Sequence, residues 1–102
     1  MKLVLTTAPE KEAERIARSL VGERLCACAQ VLPPMRSIYW WKGKVEDAEE
    51  RLILLKTDEV HLERLEARLT ELHPYDVPEF VAMEVERASA AYSSWLKEVM
   101  DG

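Results

Sequence analysis

The spacing of apolar residues changes several times along this chain, and each change marks an element. Leu3, Val4 and Leu5 form a continuous apolar run within residues 2–7, which predicts a short central strand. Thr7-x-x-Glu10, with Pro9 between them, reads as a capping box opening a helix. Ala13, Ile16, Ala17, Leu20 and Val21 then recur at helical spacing, with Gly22 near the end. Residues 25–32 return to strand character and Pro33-Pro34 stops them. The aromatic-rich run 35–41, the turn around Gly43 and the apolar run Leu52-Ile53-Leu54-Leu55 predict a hairpin over 35–57. In this hairpin residues 45–49 form an exposed acidic loop arm, and the second strand runs from 50 to 57. Asp58 caps a second helix, whose apolar stripe is Leu62, Leu65, Leu69 and Leu72 and whose stop is Pro74. Residues 79–86 predict a last strand, with Phe80 and Ala82 on one face and Val81, Met83 and Val85 on the other. Tyr92, Trp95, Leu96 and Val99 share one side of a closing helix, roughly 90–100.

The order strand, helix, strand, strand, helix, strand is that of an α+β, ferredoxin-like split βαβ sandwich, here with a C-terminal helix. Two helices cover one face of its antiparallel sheet. Val81, Met83 and Val85 are apolar where a solvated face would be polar, so the other face is expected to meet a second subunit. Residues 1–102 make a single domain with no internal repeat, linker or low-complexity tract.

Charge and composition narrow the function. The formal net charge is −5, which argues against nucleic acid as a partner, because phosphate binding wants a basic face. No run of 18 apolar residues is present to span a membrane, and the short apolar start lacks a signal peptide's form, so a cytoplasmic location is expected. Cys26 and Cys28 are the only cysteines and are too close along one strand for an easy disulfide. They are expected on the same face of a strand, where they either bind copper(I) as soft thiolates or pack as small hydrophobes, the commoner fate of free cysteine. No phosphate loop, His-Glu-x-x-His or nucleophile elbow is present, so no enzyme is expected.

The chemistry concentrates in His73-Pro74-Tyr75-Asp76-Val77-Pro78-Glu79, which sets an imidazole, a phenol and two carboxylates between two stiffening prolines. His73 either ligates a metal, with Glu79 or Cys28 completing the site, or hydrogen-bonds the last carbonyls of the preceding helix. His61, in the first turns of an acidic helix, is expected to be exposed. Tyr39 and Trp41 fall on one strand face and Trp40 on the other, either to line a ligand cleft or to pack against a neighbour. Lys56, at a strand end, either holds an anion or pairs with a glutamate.

Several ordered motifs give the chain a family resemblance. Leu5-Thr6-Thr7-Ala8-Pro9, Glu23 through Gln30, Ser37 through Lys44, Leu55-Lys56-Thr57, His73 through Glu79, and Tyr92-Ser93-Ser94-Trp95-Leu96 resemble, in order, the motifs of the CutA divalent-cation tolerance proteins. The resemblance implies a homotrimer similar in architecture to the PII signalling proteins, and a link to divalent metal, copper above all. Thr6 stands where some members carry a cysteine, and Leu72 where some carry a second histidine, so only His73 carries over from that suspected copper set. The implied metal residues are then His73, Cys28 and Glu79. The alternative reading is a PII-like sensor that takes a small anionic ligand between subunits through Lys56, Tyr39 and Trp41. A structural trimer that meets an unidentified protein partner through its acidic arm is a third.

Overall fold

The computed structural model describes all of residues 1–102. Strands β1 (Lys2–Ala8), β2 (Cys28–Val31), β3 (Met35–Trp41), β4 (Lys44–Thr57) and β5 (Val81–Glu84) alternate with helices α1 (Glu10–Gly22), α2 (Glu59–Leu72) and α3 (Ala90–Asp101). The central sheet runs β2-β4-β1-β5, with antiparallel pairing throughout, and β3 pairs only with β4. This is the expected ferredoxin-like arrangement of β1, α1, β2, β4, α2 and β5.

β4 serves two sheets. Its second half, Arg51 to Thr57, pairs with β1 from Ala8 to Lys2. Its first half, Lys44 to Glu50, pairs with β3 from Trp41 to Met35. Residues 45–49 are therefore ladder and not the loop arm expected from their polarity. The ribbon projects from the sheet and gives the subunit its length of 44 Å against 25 and 23 Å across. At its tip Lys42 and Gly43 take positive φ, as a tight two-residue turn requires.

α1 and α2 bury one face of the sheet. Val4, Ile53 and Leu55 from the strands meet Ile16 and Leu20 of α1 and Leu65 and Leu69 of α2 in one core. The opposite face carries Leu3 and Leu5 of β1, Leu54 of β4, and Val81 and Met83 of β5, joined by the pairs Leu3↔Met83, Leu5↔Val81 and Leu5↔Leu54. Val81 and Met83 are exposed. Only one end of this face is covered. There α3 packs Leu96 and Met100 against Ala27 and Met1.

Three boundaries and the burial of one side chain differ from expectation. Thr7 does not cap α1: it pairs with Leu52 inside β1, and α1 starts after Pro9, whose carbonyl accepts from the N–H groups of Glu12 and Ala13. β2 begins at Cys28 because the Thr57 hydroxyl donates to the Leu25 carbonyl at 2.8 Å and Arg24 takes φ 57°, which bends residues 24–27. β5 spans four residues, from Val81 opposite Leu5 to Glu84 opposite Lys2, and the Val85 N–H still donates to Met1 O beyond it. His61 is not exposed. Its side chain is 15% accessible and its Nδ1 lies 2.6 Å from Asp58 Oδ1, the oxygen that also accepts from the His61 backbone N–H to cap α2.

Candidate functional site

The corner after α2 is held by His73. The imidazole is 7% exposed. Its Nε2 lies 2.6 Å from the Thr7 carbonyl oxygen, and its Nδ1 accepts the Tyr75 backbone N–H at 3.1 Å. A carbonyl can only accept and a backbone N–H can only donate, so these partners fix the neutral tautomer with the proton on Nε2. Both ring nitrogens are thereby used, and a metal would have to displace one bond. The expected helix cap exists, but through the backbone: the His73 N–H donates to Leu69 O. The ring itself ties the corner to the end of β1.

That tie positions Tyr75. Its ring lies against His73 with centroids 4.7 Å apart, and its hydroxyl donates to Glu50 Oε2 at 2.7 Å. Burial, and after it the neighbouring Glu50 carboxylate, raises the Tyr75 phenol above its ordinary range, so the hydroxyl stays a donor. Glu50 is 5% exposed and sits where the ribbon leaves the sheet, opposite Met35. Sequence reading starts a strand at Glu50 and does not single it out as a site residue. The signal for its site role is register: Glu50 pairs with Met35, so it lies on the ribbon face that carries Ser37, Tyr39 and Trp41.

Between ribbon and corner lies an open groove of about 730 Å³. Tyr39 and Trp41 come from the ribbon, Glu50 lies at its root, and Tyr75, Asp76 and Glu79 come from the corner. No lysine or arginine lines it.

The structure does not gather the other candidates here. Cys28 faces Lys56 across the β2–β4 ladder, and Lys56 faces Leu3 of β1. Thr7, at the groove, is four residues further along β1, roughly 13 Å at strand rise. His73, Cys28 and Glu79 thus do not form one metal site, and no group of three His, Cys, Asp or Glu side chains in the chain is placed to hold an ion. Lys56 likewise does not join Tyr39 and Trp41. Its ammonium bonds Gln30 Oε1 at 3.0 Å and lies 5.5 Å from the Tyr92 ring centroid, so its partner is an amide and not a glutamate.

Nor do the two cysteines share a face. Cys26 precedes the strand and is buried in the helix-side core. That burial, with a smaller contribution from Cys28, pushes its thiol up to about 12, so it packs as a small hydrophobe. Cys28 is half-buried on the other face, with its Sγ 3.6 Å from the Tyr92 hydroxyl. On the outer face of the ribbon Ile38 and Trp40 are 70% and 74% exposed, while Asp47 is held by Arg36 at 2.6 Å.

Known proteins resemble this chain over nearly its whole length. A family model described as "CutA1 divalent ion tolerance protein" matches residues 2–99. A divalent-cation tolerance protein CutA of Thermus thermophilus is 43% identical over 98 residues, covering 95% of both chains. Protein CutA 1, chloroplastic, of rice is 41% identical over 96 residues, which is 93% of this chain and 54% of that longer protein. Among solved structures, the PII-like protein CutA from Nostoc, in apo form, superposes with a TM-score of 0.92 at 41% identity over 98% of this chain and 97% of that one.

Proposed function

Because this chain belongs to the CutA1 divalent ion tolerance family, we propose that it works as a homotrimeric binding protein, not an enzyme, that takes up divalent cations in the groove between ribbon and corner. The observation that supports this reading is Glu50, a nearly buried carboxylate at the root of a groove whose other charged lining groups are Asp76 and Glu79. A cleft with one sign of charge on low-dielectric walls concentrates ions of the opposite sign. Carboxylate oxygens suit hard and borderline divalent ions, copper(II) among them, better than copper(I). With no three-ligand group inside one chain, the ion keeps part of its water shell or takes a ligand from a neighbouring subunit.

The trimer is inferred from the apolar sheet face of Leu3, Leu5, Leu54, Val81 and Met83, which one chain leaves open. Burying such a face returns about 25 cal/mol for each Å² of apolar surface. The number three comes from the family resemblance. No helix here is long and apolar enough to cross a membrane; a cytoplasmic location belongs to the proposal.

Calorimetric titration with copper(II), beside sedimentation of the protein, tests both parts. Saturable uptake by a trimer, weakened in Glu50→Gln and unchanged in Cys28→Ser, is expected. Uptake lost only in Cys28→Ser would move the site to β2. A second reading, a PII-like sensor of small molecules, is favoured by the aromatic pair Tyr39 and Trp41 in the same groove.

A further inference from the structure

We propose that the groove accepts a protonated primary amine, with the ammonium on Glu50 and the carbon skeleton against Tyr39 and Trp41. This rests on reading the groove as the ligand site, and it names the chemical class of ligand.

Glu50 carries the argument. Tyr75 engages Oε2, while Oε1 has no hydrogen-bond partner within the chain. The only fully buried side-chain oxygen or nitrogen without a partner is Thr6 Oγ1, so Glu50 Oε1 is not sealed in the protein and opens to the groove it lines. Glu50 is 5% exposed and forms no ion pair within the chain, so the groove is the one side from which a counter-charge can reach it. An N–H donor carrying positive charge supplies that counter-charge and a hydrogen bond. The charge-assisted bond is roughly twice as strong as a neutral one.

The groove's other features suit an organic cation as well as a metal ion that keeps part of its water shell. An inner-sphere metal needs several ligands converging on one point, and no such group exists. An ammonium has three diverging donors and tolerates separated acceptors, here Glu50 with Asp76 or Glu79 at the rim. Aromatic faces attract such ions through their quadrupole. Trp41 already receives one from its own chain, the Lys42 ammonium 5.8 Å from the ring centroid.

The test follows the Trp41 indole N–H resonance, assigned with Trp41→Phe, during titration with n-butylammonium chloride, with n-butanol as the neutral control. Expected are a saturable shift with the amine, none with the alcohol, roughly tenfold or greater weakening in Glu50→Gln, and no change in Lys56→Gln at the far end of the sheet. If Glu50→Gln fails to fold, Asp76→Asn with Glu79→Gln, both on exposed residues, must weaken the amine. Equal shifts from amine and alcohol, or undiminished binding in the carboxylate variants, overturn the proposal. Copper(II) chloride perturbing Trp41 where the amine does not would also overturn it, yet leave the groove as the cation site. Silence with both would remove that reading as well.

Discussion

The two ends of the central sheet are built from similar parts and do different things. At one end an imidazole, a phenol and a carboxylate form a chain of hydrogen bonds from Thr7 through His73 and Tyr75 to Glu50, leaving an oxygen open to a groove. At the other, a thiol, a phenol, an ammonium and an amide, on Cys28, Tyr92, Lys56 and Gln30, close on one another beneath α3. The first end spends its polar bonds on positioning one buried charge. The second end spends them on mutual satisfaction and on docking a helix. Reactive residue types are therefore a poor guide to the site: the cysteine and lysine lie at the closed end, and the histidine is a tie.

The comparison predicts unequal costs of damage. His73→Ala deletes two hydrogen bonds of a buried ring, orphans the Tyr75 N–H and loosens the corner. It should cost about 2–3 kcal/mol in urea unfolding, and weaken cation uptake only through the displaced Glu50. An unchanged unfolding midpoint would mean that the corner is held by its prolines alone.

Asp58, which starts α2 near the closed end, should matter less. Asp58→Ala removes the cap and the His61 bond, worth about 1 kcal/mol. Partial burial works against its ionisation, but the side-chain and backbone hydrogen bonds from His61 win and hold its pKa below the ordinary 3.8. A depressed carboxyl stabilises above its unfolded pKa and loses that contribution as pH falls through the folded one. Wild type and Asp58→Ala should thus converge in stability only below about pH 4. Convergence already at neutral pH would show that the carboxylate contributes nothing.

Smallest is Tyr92→Phe. The hydroxyl's contact with Cys28 is a 3.6 Å sulfur contact, and the Lys56 ammonium can still lie over a phenyl ring. A loss of no more than about 0.5 kcal/mol is expected, with α3 still docked by Leu96 and Met100. A loss above that of Asp58→Ala would make the closed end a tuned network too. Independently, Cys26 should resist iodoacetamide in the native protein at pH 9, since its thiol is pushed up to about 12; ready alkylation by mass spectrometry would contradict its place in the core.

Much of the scaffold was legible because it rests on local signals. The 3–4 spacing of Leu62, Leu65 and Leu69, the Asp58 cap and the alternation of Val81 and Met83 each carry their own geometry in sequence. The site was legible only as a segment, residues 73–79, and as the aromatic pair Tyr39 and Trp41. What failed depended on pairing across the fold. Thr7 reads as a cap until β4 claims it for the ladder. Residues 45–49 read as loop because a two-stranded ribbon with both faces wet need not alternate apolar and polar. Glu50 reads only as the start of a strand until its register with Met35 and its bond from Tyr75 bring it to the groove.

The most direct measurement is the position of copper(II) on the protein, read from paramagnetic broadening of assigned backbone amide signals at substoichiometric metal. The account predicts broadening centred on Glu50, Tyr75 and Glu79, with Cys28, Lys56 and Tyr92 unaffected. Broadening centred on Cys28 and Tyr92, or on His73 with loss of the Tyr75 amide bond, would contradict it.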